Sequence, residues 1–270
     1  MNLKDRVVVV TGAGSGIGRA TALLFAKQGA RVAACDLDQA RLETLERELG
    51  DRALLVRKVD VSSRSEMKAF ADAVHAVAPA ADVIVNNAGV ALGGSFVDTT
   101  LDDWDWLLGV NLKGVVHGCH YFVPKMVERG LGGHVVNIAS ILGIYPAPAV
   151  TAYVASKFAV RGFSQSLREE LAPHKIGVTA ICPGMIATAI VADGRMAGEV
   201  GKRRAKVVST FRDRGAPPEK VAEAILEAVH ANPAVRVVGA DAMVIAALER
   251  VAPRALARLG GVIQRRFGAS

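Results

Sequence analysis

From residue 6 to residue 184 the chain alternates short β-rich runs with longer segments of helical hydrophobic period, and this alternation restricts the fold more than any other feature. RVVVVTG (6–12), RVAACD (31–36), ALLVRKVD (53–60), DVIVNN (82–87), HVVNIAS (134–140) and GVTAICPG (177–184) read as strands, with AVRVVG (234–239) as a seventh. Helical segments fall near 17–28, 38–49, 64–77, 100–129 and 152–172, and a further one, PPEKVAEAILEAVH, carries proline in its first turn. Strands separated by helices pair in parallel through right-handed crossovers, with helices on both faces. Apolar residues make up 51% of the chain and aromatics only 5%, so the core is built from Ala, Val, Leu and Ile, as helices packed on a buried sheet require. The Gly- and Arg-rich section 193–215 breaks the alternation. Without an internal repeat or linker, the expectation is one α/β domain over 1–240, with a helical extension over 241–270 packed on it or on a partner subunit.

Several function classes drop out. MNLKDR is charged at once and does not read as a secretory leader, so the default compartment is cytoplasmic. Cys35, Cys119 and Cys182 are far apart and set among apolar residues, which fits reduced core thiols, and no metal-ligand spacing involves them. His117 and His120 share a helix face without a carboxylate or thiolate cluster, and no metal is expected. Residues 135–156 contain no charge, but Gly143, Pro146 and Pro148 interrupt them, so a strand, a loop and a helix start explain the stretch better than a membrane span. The net charge of +7 concentrates in the last third of the chain. Solvated helix faces explain it, with peripheral contact to a membrane surface or attraction of an anionic substrate as sharper alternatives. Nucleic acid is not an expected partner, because no stacking aromatics interleave with the basic residues.

In parallel α/β sheets ligands bind beyond the carboxyl ends of the strands. There TGAGSGIG (11–18) follows the first strand and opens the first helix, and Gly12, Gly16 and Gly18 let the backbone turn sharply beside a pyrophosphate. Asp36 ends the second strand eighteen residues after Gly18, where a carboxylate binds ribose hydroxyls and repels a 2′-phosphate. No basic residue stands at Ser15 or Leu37, so the cofactor expected is NAD. Asp60 ends the third strand and fits either a hydrogen bond from an adenine amine or a helix N-cap.

With NNAG (86–89), Asn111 in VNLKG, Ser140 in NIAS, YVASK (153–157) and PGMIAT (183–188), these motifs resemble the NAD-preferring group of the short-chain dehydrogenase/reductase family. The resemblance covers residues 6–190 and implies a Rossmann-type, doubly wound sheet of about seven strands. It implies that Ser15, Gly16, Ile17 and Gly18 follow the pyrophosphate and adenosine, and that Asp60 and Val61 edge the adenine. By the same resemblance Asn87, Ala88 and Gly89 pass behind the ribose, and Pro183, Ile186 and Thr188 hold the nicotinamide end.

Tyr153 and Lys157 stand at i and i+4 of a helix and share a face. A free phenol titrates near 10, and a neighbouring ammonium favours the phenolate, so the expectation is a tyrosine tuned toward acid/base work. An isolated pair of this kind is usually structural, but Ser140, thirteen residues earlier at a strand end, adds a hydrogen-bond partner for a substrate oxygen. The resemblance adds that Lys157 holds the nicotinamide ribose and that Asn111 binds a relay water.

Beyond Thr188, Ile186, Ile190, Val191, Met196 and Val200 suggest an apolar lid, with Arg203, Arg204 and Lys206 close by. The tail lacks the family's usual D-G-G. In its place Val244, Leu248 and Val251 form one helical stripe and Arg250, Arg254 and Arg258 another, which suits packing on the same chain or on a second subunit of a homo-oligomer. Three functions follow. The first is an NAD-dependent dehydrogenase of a lipophilic secondary alcohol or ketone. The others are a 3-oxoacyl-carrier reductase, which Asp36 disfavours, and an NAD-binding sensor or scaffold without turnover.

Overall fold

A computed structural model describes residues 2–253. In chain order the elements are β1 (Val7–Thr11), α1 (Gly16–Lys27), β2 (Arg31–Asp36), α2 (Gln39–Leu49), β3 (Ala53–Lys58), α3 (Arg64–Val77), β4 (Val83–Asn86) and β5 (Leu92–Gly93). They continue with α4 (Leu101–Leu108), α5 (Gly114–Arg129), β6 (Gly133–Ile138), α6 (Thr151–Leu171), β7 (Ile176–Pro183) and β8 (Arg195–Met196). The last are α7 (Gly198–Lys202), α8 (Arg204–Arg214), α9 (Pro218–Ala231), β9 (Val235–Val238) and α10 (Ala240–Val251).

Seven strands form one sheet in the order β3-β2-β1-β4-β6-β7-β9, and every pairing is parallel. The strand order reverses beside β1, which opens a crevice between the ends of β1 and β4. The valine run of β1 feeds both faces. Val7 and Val9 join the core layer containing Phe70 and Phe122, whereas Val8 and Val10 join the layer containing Phe25 and Ile225. Alternate residues of a strand point to opposite faces, so an unbroken apolar run is what a sheet covered on both sides needs. The three cysteines are buried free thiols, and burial pushes Cys119 up to about 12 and Cys182 to about 11.

Two regions differ from the sequence-based expectation. The segment 100–129 is interrupted by a π-helical turn, Gly109–Lys113, which carries Asn111. Gly114 ends that turn where a Cβ would press on Val61, 2.8 Å from its Cγ2. The section 193–215 holds α7, α8 and the two-residue strand β8, which pairs with β5 in a separate parallel sheet. No residue of α8 is buried, so it carries no helical apolar stripe to read. On α10 only Ala242 is buried, while Val244, Leu248 and Val251 are exposed among the described residues. Arg254 and Arg258 lie outside the described residues. Among those residues no helix is long and apolar enough to cross a membrane, and the uncharged stretch 135–156 is divided between β6, a 3-10 turn, a loop and α6.

Candidate active site

The turn between β1 and α1 is shaped for close approach. Gly12 and Gly16 have φ of +63° and +50°, in the region that favours glycine. A Cβ on Gly12 would stand 2.7 Å from the Ala88 Cα, and one on Gly16 would stand 2.8 Å from the Thr188 Cγ2. Ser15 is the N-cap of α1, yet its side chain caps no amide, so the N–H groups of the first turn are left for another acceptor. Asp36 fixes the turn from the next strand: its Oδ2 accepts from Gly14 N at 2.8 Å and its Oδ1 from Asp38 N at 3.0 Å. The N-cap of α2 is Asp38 rather than Asp36.

Asp60 turns its Oδ1 to the N–H and hydroxyl of Ser62, at 2.8 and 2.7 Å. The cap of α3 is Ser63, so the N-cap alternative for Asp60 does not hold. Asn87 Nδ2 donates to the carbonyls of Thr11 and Gly12, both at 3.0 Å, and ties the end of β4 to the glycine-rich turn.

Ser140 follows β6 and caps a 3-10 turn, accepting from Leu142 N at 3.1 Å. Its hydroxyl stands beside the Tyr153 phenol, presented by the first turn of α6. Lys157, one turn on, is buried; its Nζ donates to Ile138 O at 3.0 Å and lies 5.5 Å from the Tyr153 ring centre. Asn111 is fully buried. Its Oδ1 accepts from Val90 N at 2.8 Å and its Nδ2 donates to Val90 O at 3.0 Å. It flanks Gly89 together with Lys157: a Cβ there would lie 3.4 Å from Asn111 Oδ1 and 3.5 Å from Lys157 Nζ.

These groups surround one cavity of about 1000 Å³ at the carboxyl end of the sheet. It is lined by Gly12, Ser15, Gly16, Ile17, Asp36, Asp60, Val61, Asn87, Ala88, Gly89, Ser140, Tyr153, Lys157, Pro183, Ile186 and Thr188. Gly18 and Asn111 do not line it. Gly18 packs against Gly12 O and Asn87, and Asn111 braces Val90 from behind. The cavity's size, the free first-turn amides and the closely packed glycines fit a dinucleotide with a small substrate beside it.

The family model described as short chain dehydrogenase matches residues 6–197. The chain belongs to the short-chain dehydrogenase family. The Mycobacterium tuberculosis protein named "Probable oxidoreductase EphD" is 41% identical over 260 residues, covering 93% of this chain. The chain spans only 44% of that relative's length. A short-chain dehydrogenase/reductase from Burkholderia phymatum, solved with NAD, superposes with a TM-score of 0.86 at 28% identity, covering 93% of this chain and 94% of its own. The closed form of a serine dehydrogenase complexed with NADP+ superposes at 0.76 with 32% identity, covering 86% and 93%. The chain thus has the fold of this family.

The electrostatics of the YVASK pair depart from the expectation. Burial pushes the Tyr153 phenol up to about 12, opposed by the neighbouring Ser140 hydroxyl, and the Lys157 ammonium does not reverse that shift. Burial also pulls Lys157 down from its usual 10.5 to about 8. Desolvation disfavours both charged forms, and it outweighs the attraction between them. Sequence reasoning could not see this balance, which depends on how much of the chain covers both groups.

A stability prediction follows for Lys157. Below pH 8 both folded and unfolded chains carry the ammonium, and folding bears the full cost of burying it. Between about 8 and 10.5 only the unfolded chain remains protonated, so the cost falls as pH rises. Lys157→Met removes a penalty of up to about 3 kcal/mol and strands the Ile138 carbonyl, for a net gain of about 2 kcal/mol at neutral pH. Thermal melts should place this variant about 5 °C above wild type at pH 7, with the gap closing toward pH 10. An equal or lower melting temperature at pH 7 would contradict the burial cost.

Sequence reasoning also missed residues of the site. Trp106 and Arg195 line the cavity, with the guanidinium 4.0 Å above the Trp106 ring and 2.9 Å from Asp103 Oδ1. Ile190, Val191, Met196 and Val200 line it too, as the lid reading anticipates, joined by Val207 and Phe211 from α8. Arg41 lines the cavity beside Asp36. None of these belongs to a local motif.

Proposed function

We propose that this dehydrogenase transfers a hydride reversibly between NAD(H) and a lipophilic secondary alcohol or ketone. The observation that carries the reading is the convergence of Ser140, Tyr153 and Lys157 on one wall of the cavity whose far end holds Asp36. When bound, the nicotinamide supplies or accepts the hydride at the carbinol carbon. Tyr153 holds the proton exchanged with the substrate oxygen, and Ser140 donates to that oxygen and orients it. Lys157, with two donors beyond the one given to Ile138, holds ribose hydroxyls and places positive charge beside the phenol. Asn111 is the second support of this wall: through Val90 it fixes the Asn87–Gly89 segment against which the cofactor rests, and by family resemblance it orders a relay water.

The lipophilic preference rests on the substrate end, where Leu142, Val150, Ile190, Val191, Met196 and Phe211 form apolar walls. The NAD preference rests on Asp36, and the homo-oligomer reading on Val244, Leu248 and Val251, which are exposed among the described residues. A cytoplasmic setting agrees with the three free thiols. Secondary alcohols and ketones of increasing apolar size, assayed with NAD(H) and NADP(H) in parallel, test the proposal. Turnover that favours the larger members and NAD(H) is expected. Preference for NADP(H), or for small polar alcohols, would overturn the corresponding half.

A further inference from the structure

Arg41 stands in the first turn of α2, where sequence reasoning placed no cation. Its β-carbon would lie 3.0 Å from a Cβ on Gly14, the residue whose amide Asp36 holds. The arginine therefore grows from the rim beside the carboxylate that reads the ribose, and both line the cavity. A free guanidinium there would welcome a 2′-phosphate through paired charge-assisted hydrogen bonds. Here the guanidinium is engaged. Its Nε lies 3.1 Å from Asp38 Oδ2, and its Nη1 lies 3.2 Å from Asp193 Oδ2. Asp38 belongs to the same helix start, but Asp193 arrives from the strap over the substrate end, 152 residues later.

We propose that Asp193 is a coenzyme-specificity residue: by engaging Arg41 it withholds the guanidinium from a 2′-phosphate and strengthens the NAD preference that Asp36 establishes. With Asp36 and Asp38, it makes three carboxylates around one cation, so the ribose end is net negative. Arg41 and Asp193 are 40% and 57% exposed, and such pairs contribute little to folding, so the effect belongs to selectivity. Asp193 is also not what holds the strap down. Arg204 donates to the carbonyls of Ala192 and Gly194, and Arg195 is fastened to Asp103 and Trp106.

The inference rests on the nicotinamide-coenzyme reading, and binding measurements separate the two. Dissociation constants for NADH and NADPH, from coenzyme fluorescence without substrate, are compared for wild type, Asp193→Ala, Arg41→Gln and the double variant. Asp193→Ala should tighten NADPH about tenfold, the scale of one partly exposed charge-assisted hydrogen bond, and leave NADH within about twofold. Arg41→Gln should cancel that gain in the double variant and change NADPH binding little on its own. Unchanged NADPH affinity, equal changes for both coenzymes, or a gain that survives loss of Arg41 would overturn the proposal. So would a loss from Arg41→Gln alone as large as in the Asp193→Ala background. Should Asp193→Ala melt early, the Arg41→Gln arm still decides. Absence of turnover with any alcohol would count against the dehydrogenase reading and leave these affinities interpretable.

Discussion

Tyr153→Phe should lower kcat by about a thousandfold or more while NADH affinity stays within about twofold, because the phenol oxygen is the one atom removed and general acid–base groups contribute about 10²- to 10⁴-fold. The ring keeps its place beside Ser140 and Lys157, and no cofactor contact proposed above uses that oxygen. Folding should be unaffected or slightly improved, since a half-buried hydroxyl with a raised pKa loses only its interaction with the neighbouring Ser140 hydroxyl. Steady-state kinetics and a fluorescence titration of the same preparation check both halves. Loss of NADH binding together with turnover would make Tyr153 a structural residue.

Gly18→Ala should be strongly damaging. A Cβ at that position would overlap the Gly12 carbonyl and the Asn87 amide, closer than real Cβ atoms approach. The obstacle is backbone that is itself pinned: Asn87 Nδ2 donates to Gly12 O, and Gly12 packs on Ala88. Overpacking usually costs about 1–3 kcal/mol, and with no flexible side chain to yield the cost here is about 3 kcal/mol or more. At this chain length that is about 10 °C in Tm. The displaced turn should also weaken NADH by about tenfold or more, since helix N-terminal amides bind anions only when aligned. A fully stable Gly18→Ala protein with normal NADH affinity would show that the turn is looser than its packing implies.

Most of the architecture was legible because its signals are local. Strand runs and helix periods marked every element of the main sheet, and the alternating burial of Val7 to Val10 shows why a run of valines means a sheet covered on both faces. Motif residues at strand ends converged because a parallel sheet places all such ends together. What escaped depends on contacts between distant segments. The β5–β8 pair is two residues long and joins Leu92 to Arg195, too short for a period to register. Helix α8 buries nothing and so lacks a stripe. The Arg41–Asp193 pair spans 152 residues, and neither partner sits in a motif. The direction of the Tyr153 and Lys157 shifts depended on burial, which residue types and spacing do not report.

The central claim is that the Tyr153 wall and the Asp36 end together carry out hydride transfer to a carbonyl. Its most direct test supplies NADH deuterated at the transferable hydrogen with a ketone from the size series, and examines the alcohol by mass spectrometry. Wild type should place deuterium on the carbinol carbon, and Tyr153→Phe should give almost no alcohol. Tight NADH binding with no labelled alcohol from any ketone of the series would contradict the account and leave a nucleotide-binding protein without this chemistry.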